Sequence, residues 1–318
     1  MTKDTLRNEV QFLFDDTKEK SIDVYALVGD TYYKLDLLPD SRPDLLTLFI
    51  GGVKKSIIDN DKYVIRPYST SDERKNCYYE YDLTESPTEI QTMSEVVGAQ
   101  DVEPYRVDEF STLNDIDALY IVLSHQNEVV VLYKNISHLD FVDVHQRFLL
   151  IKNSDHQLTK LDKDYLRISS TFHMIRTAKG TVILDITPLE KSSGFDQIIK
   201  NEVDTRIEDI KSIGLIEDMD SFKGYLDNLS SRKALLQLKN SQVIKKNISA
   251  ADIVKFAVDK KDVIGKIQLS DDKTKLSPSS KNQTKILLKL LNDDFVISEL
   301  TKSDYDAIAK DKLEKVTE

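Results

Sequence analysis

Apolar and polar residues alternate through much of the first half of the chain. Ile22–Val28 and Tyr32–Leu37 flank Gly29-Asp30, which predicts a hairpin. Leu119–Leu123 and Val129–Tyr133 are rich in β-branched residues, and the SHQNE between them supplies a turn. Tyr63–Ile65, Tyr78–Tyr81, Phe148–Ile151, Leu166–Ile168, Thr171–Arg176 and Thr181–Ile186 read as further strands, the last two joined by Ala178-Lys179-Gly180. Helical spacing interrupts them twice: from Pro43 to about Ile58, where Gly51-Gly52 weakens the pattern, and over Pro87–Val97.

After Pro188 the period changes. Phe195, Ile199, Val203, Ile207 and Ile210 share one helical face, Glu202 and Arg206 are spaced for an ion pair, and Gly214 is a stop. Phe222, Tyr225, Leu226 and Leu229 mark a second helix, and Leu235, Leu236 and Leu238 a third. Ile253, Phe256 and Ala257 mark a fourth that Ser249 can cap. Ile286–Leu291 and Tyr305–Lys312 complete the set. Strands followed by helices make the chain α+β. The expected division is a strand-rich region over 1–160 and a strand pair plus helical region over 161–318.

Composition narrows the class. The N-terminus, MTKDTLRNEVQFLFDD, lacks the apolar stretch of a secretory signal, and no window approaches 18 uninterrupted apolar residues. Cys77 stands alone, so no disulfide framework or cysteine zinc site is expected. This predicts a cytoplasmic protein that reaches a membrane's inner face only through a partner.

Charge is distributed unevenly. The net charge is −11, yet residues 223–289 hold 15 basic and 6 acidic groups, while residues 80–117 hold one basic and 11 acidic. The basic segment can track a phosphate backbone, dock on an acidic protein or membrane surface, or simply solvate helix faces. Lys281, Lys285 and Lys289 form one stripe opposite Ile286, Leu287, Leu290 and Leu291, spanning about 12 Å at about 1.5 Å per residue. Lys233 shares a polar face with Gln237 and Asn240, whereas Arg232 and Lys239 fall on the leucine side. Lys245-Lys246 and Lys260-Lys261 are basic pairs at helix ends. The acidic stretch solvates the N-terminal half, or pairs with a basic surface.

No catalytic constellation emerges, and no cofactor fingerprint is present. His138, Asp140, Asp143 and His145 form the one His/Asp cluster, but on a strand the two pairs face opposite ways. Asp209-x-Lys211 matches a fragment of a nuclease motif inside an amphipathic helix. His125, His156 and His173 are isolated. Tyr79 and Tyr81 share a strand face, as ordinary sheet packing requires; base stacking is the rarer use.

Several C-terminal stretches nevertheless carry a resemblance. They are LRISSTFHMIRTAKGTVILDI, then GFDQIIKNEV with the aromatic-acidic pair Phe195-Asp196, then IGLIEDMDSFKGYLDNLSSRKALLQLKNS, and finally ILLKLLNDDFVISELTKSDYDAIAKDKLE. Together they resemble the family of the soluble B subunit of the Kiwa anti-phage defence system. The resemblance implies a non-enzymatic effector that binds DNA and obstructs phage DNA transactions. It also implies a membrane-embedded KwaA-like partner and a homo-oligomer, most simply a dimer. It carries no site residues of its own, so the expected DNA contacts rest on charge geometry alone: Lys233, Lys245, Lys246, Lys260, Lys261, Lys281, Lys285 and Lys289.

Overall fold

The computed structural model describes residues 1–70, 76–106, 113–137, 140–142, 151–154, 157–160, 165–191, 193–297 and 304–306. In chain order, the first elements are α1 (Lys3–Glu9), β1 (Ser21–Val28), β2 (Thr31–Lys34), α2 (Ser41–Val53), β3 (Val64–Pro67), β4 (Cys77–Tyr81), α3 (Thr88–Glu95), β5 (Ala118–His125) and β6 (Glu128–Asn135). The short strands β7 (Phe141–Val142), β8 (Ile151–Ser154), β9 (Gln157–Lys160) and β10 (Tyr165–Leu166) follow, then β11 (Met174–Thr177) and β12 (Gly180–Ile183). Eight strands form one sheet in the order β2-β1-β5-β6-β11-β12-β4-β3, antiparallel except for β3 beside β4. The α+β reading holds.

The sheet is covered on both faces, which explains the near-continuous apolar run of β5: Ala118 to Leu123 are all buried. One face sets Val24, Ile121, Leu132 and Ile175 against Leu6, Phe49, Val53 and Ile57. The other packs Tyr25, Tyr120, Tyr133 and Met174 with Ile90, Met93 and Phe195. Helix α1 has no counterpart among the expected elements. Its signals are Thr2, whose hydroxyl caps the Thr5 N–H at 3.1 Å, and the i,i+4 pair Leu6 and Val10.

Two features of the sheet unit correct or sharpen the sequence reading. Helix α2 runs through Gly51-Gly52, and Gly52 faces the backbone of Ser170 so closely that a Cβ would lie 2.2 Å from its carbonyl oxygen. The helix then widens into a π turn over Lys54–Ile58. The tyrosines of β4 serve packing. Tyr79 is buried, Tyr81 stacks on Tyr68 at 5.5 Å, and Phe195 sits edge-on to Tyr68 and Tyr81 at 6.0 Å each.

The chain falls into two compact units, one built from the N-terminal part through Asp196 and the other from Gln197 onward with Ser69 and Thr70. The strand pair β11–β12 belongs to the eight-stranded sheet. The helical unit contains α4 (Ser193–Ile213, from Gln197), α5 (Met219–Gly224), α6 (Leu229–Leu236), α7 (Gln242–Lys245), α8 (Ala250–Asp259), α9 (Lys261–Ile264) and α10 (Lys281–Leu291). Ile199, Val203, Ile207 and Ile210 face its core as their spacing predicts, with Phe222, Leu235, Leu236, Ile253, Leu287 and Leu291. Gly214 follows α4 at φ +68°, and Ser249 caps α8 through the Asp252 N–H.

Two local expectations fail. Arg206 pairs with Asp209, and Glu202 pairs instead with Lys239 at 3.5 Å while accepting the Thr70 hydroxyl. The expected helix at Tyr305–Lys312 starts on a strand: β14 (Asp304–Asp306) pairs with β13 (Phe295–Ile297), whose apolar triplet favours the ladder. Residues 307–312 lie outside the described set.

Candidate nucleic-acid interface

Helix α10 begins where Ser280 accepts the Gln283 N–H on its hydroxyl, and its apolar side enters the core of the helical unit through Leu287, Leu288, Leu290 and Leu291. That docking fixes the opposite side. Lys281 and Lys285 are exposed and Lys289 is half-buried. Helix α6 lies alongside, started by Asn228, whose side-chain oxygen accepts the Ser231 N–H at 2.9 Å. The Asn292 amide donates to the Ala234 carbonyl at 2.7 Å, and the Tyr225 hydroxyl to the Ser279 carbonyl at 2.9 Å, tying the two segments together.

Between α6 and α10 runs a groove of about 880 Å³. Lys281, Lys285 and Lys289 line one wall and Lys233 the other; Asp294 is the only carboxylate among the described lining residues. Lys233 is the least exposed of the four, at 8%. Lys281 pairs with Asp227, and the Lys281 ammonium holds the Asp227 carboxyl below its usual pKa range. Lys285 has no ion-pair partner among the described residues. Asn228, Gln237, Asn282 and Asn292 add amide groups to the lining.

The structure thus brings together four of the eight lysines singled out from sequence. Lys245 and Lys246 are exposed at the end of α7, Lys260 joins α8 to α9 and Lys261 opens α9; none of these lines the groove. Sequence reasoning places Gln237 beside Lys233 but misses Asp227 and the amides of Asn228, Asn282 and Asn292. Asn228 ahead of Leu229 is a readable cap signal, whereas the approach of Asp227 to Lys281 spans 54 residues and has no local trace.

The other candidates resolve differently. Asp209 is held by Arg206 and Lys211 lies 3.5 Å from Glu208, so both are ordinary exposed groups of α4. Asp140 accepts the Ser137 N–H and hydroxyl at 3.0 and 2.9 Å; His138, Asp143 and His145 lie outside the described residues, as does His156. The His125 ring contacts the Glu19 carbonyl at 2.6 Å, and His173 sits in the sheet unit. Among the described residues no helix is long and apolar enough to cross a membrane.

Comparison with known proteins agrees with the sequence patterns. Kiwa protein KwaB of Escherichia coli O55:H7 (strain RM12579 / EPEC) is 25% identical over 271 residues, covering 84% of this chain and 85% of that protein. No solved structure matches. Residues 113–301, more than half of the chain, match the family described as Kiwa protein KwaB-like, and the chain belongs to that family.

Proposed function

We propose that this protein is an anti-phage defence effector that binds DNA without regard to sequence and obstructs phage DNA replication or transcription. Family membership supports the defence role. The observation that carries the DNA reading is the convergence of Lys233, Lys281, Lys285 and Lys289 on one groove with a single lining carboxylate among the described residues. Lysines on phosphates release counterions and give affinity, while the amides of Asn228, Gln237, Asn282 and Asn292 suit phosphate and sugar oxygens. Backbone contacts of this kind position a duplex without reading its sequence, so occupancy rather than sequence choice is the expected mode. In this reading a second copy of the chain and a membrane-embedded KwaA-like subunit place the effector near the cell membrane.

The test is a fluorescence-anisotropy titration with labelled duplex and single-stranded DNA at two salt concentrations, with and without Mg²⁺. Lys281→Gln/Lys285→Gln/Lys289→Gln is the variant of choice, because neutral side chains avoid repulsion with Asp227 and Asp294. The expected result is salt-sensitive binding of intact DNA, weakened at least about tenfold in the variant with little change in melting temperature. Unchanged affinity in the variant would remove the groove from the site. Absence of binding at about 0.15 M salt would favour docking on an acidic protein or lipid surface, and Mg²⁺-dependent nicking would favour a nuclease.

A further inference from the structure

Among the described residues of the sheet unit, Lys134 is the one lysine that the fold buries, at 3% exposure. It lies on β6, on the sheet face shared by Val130 and Leu132. It forms no ion pair among the described residues. Its side-chain nitrogen meets neutral oxygens instead: Ser169 Oγ at 2.9 Å, and the Thr171 carbonyl and Oγ1 at 3.2 Å each. Ser169 Oγ and Thr171 Oγ1 are themselves 2.8 Å apart, so the three side chains close a triangle.

The segment that carries the two hydroxyls is held firmly. It links β10 to β11, with Ser170 packed on Gly52 of α2, Phe172 buried in the core and the His173 N–H donating to the Tyr133 carbonyl at 2.8 Å. Ser169 is half-buried and Thr171 exposed, so the triangle lies at the surface end of a buried side chain.

Burying an ammonium with no carboxylate against it is costly, and the cost falls away when the amine is neutral. Burial, first, lowers the Lys134 pKa; the Asp140 carboxylate works against that shift and Arg167 with it. His173 is the further titratable group that feels the Lys134 charge. The neutral amine also completes the hydrogen-bond count. Its two N–H groups donate to the Thr171 carbonyl and Oγ1, and its lone pair accepts the Ser169 hydroxyl. The Thr171 hydroxyl then donates to Ser169 Oγ. A serine with a base in hydrogen-bond reach, and a third group orienting that base, is the arrangement that activates the hydroxyl as a nucleophile.

We propose that Ser169 and Lys134 form a serine–lysine acyl-transfer centre that takes carboxylic esters, with Thr171 as the positioning residue. Ser169 Oγ bonds to the ester carbonyl carbon and its proton passes to Lys134 Nζ. Collapse of the adduct breaks the ester C–O bond, and the alcohol leaves with that proton. Water then attacks the acyl-serine by the same route, releasing the acid and restoring Ser169. An ester is the fitting acyl class because its carbonyl carbon is more electrophilic than an amide's, which asks less of a centre at the surface.

Treatment of the full chain with an alkyl fluorophosphonate tests this. Ser169 Oγ bonds to phosphorus, the P–F bond breaks, fluoride leaves and the serine proton passes to Lys134. Intact-mass measurement and peptide mapping should find an adduct on Ser169, absent from Ser169→Ala and formed at least about 100-fold more slowly in Lys134→Met. The labelling rate should rise with pH to a plateau whose midpoint lies below the ordinary lysine value of 10.5. Thr171→Val, at an exposed position, should slow labelling about tenfold and shift that midpoint. Hydrolysis of p-nitrophenyl acetate should follow the same profile and fall in the same variants. No adduct on Ser169 overturns the proposal. So does labelling that Lys134→Met leaves unchanged or, where thermal melts show that this variant does not fold, a wild-type rate that tracks hydroxide without a plateau.

Discussion

The Nδ1 atom of His173 accepts the backbone N–H of Asn135 at 2.9 Å, so the folded chain holds this ring in its neutral form. Its own N–H and carbonyl are committed to Tyr133 and Leu184, which fixes the residue beside β6. Burial, first, lowers the His173 pKa below its ordinary 6.5. Well above pH 6.5 both folded and unfolded chains carry a neutral ring, and this residue contributes no pH dependence. As pH falls through 6.5 the unfolded chain takes up a proton that the folded chain refuses, so stability declines until the folded pKa is passed. The slope is at most about 1.4 kcal/mol per pH unit. Denaturant titrations of wild type and His173→Gln at pH 7.5, 6.0 and 5.0 should show the variant losing less stability on acidification. Glutamine retains an acceptor but cannot titrate. Parallel pH profiles for the two proteins would remove His173 as the cause.

At the scale of elements, the sequence is most legible where structure is local. The Gly29-Asp30 hairpin, the single buried face of α4 and the Ser249 cap follow from residues a few positions apart. The order of the sheet does not, because β12 pairs with β4 across some hundred residues and only shared burial sets that register. The Phe195-Asp196 pair shows the same limit. Its position near a helix start is readable, but Phe195 is fixed by Tyr68 and Tyr81, and the helix entry by the distant Glu89. Gly51-Gly52 illustrates a conflict between propensity and packing. Glycine costs helix α2 about 0.5–1 kcal/mol per residue relative to alanine. At Gly51 a Cβ would meet nothing within 4 Å, whereas at Gly52 it would lie 2.2 Å from the Ser170 carbonyl oxygen. Gly51→Ala should therefore raise the melting temperature slightly, while Gly52→Ala should cost about 1–3 kcal/mol as α2 is pushed off the Ser170 segment. Equal melting temperatures for the two variants would refute the packing role.

For the whole molecule, the proposed DNA binding has to reconcile a net charge of −11 with a segment, 223–289, that carries a surplus of nine positive charges. The helical stripe is readable because i, i+4, i+8 spacing is local, but its concentration into a groove depends on α6 arriving from some 50 residues earlier. Screening decides how the two charges compete. At about 0.15 M salt the Debye length is about 8 Å, so carboxylates farther than that from a phosphate seated in the groove are largely screened. At about 0.01 M salt it extends to about 30 Å, and the net negative charge then repels the duplex as a whole. Counterion release gives a slope of about −0.9 in log affinity against log salt for each duplex phosphate neutralised. Three or four groove lysines therefore predict a slope of about −3 to −4 above about 0.1 M, flattening at lower salt as long-range repulsion grows. Neutralising Lys281, Lys285 and Lys289 should bring that slope to about −1, leaving Lys233 as the remaining contact. An anisotropy series across salt concentrations measures this directly. A wild-type slope near zero would exclude phosphate contacts altogether, and a steep slope that survives the triple substitution would move the DNA to another surface.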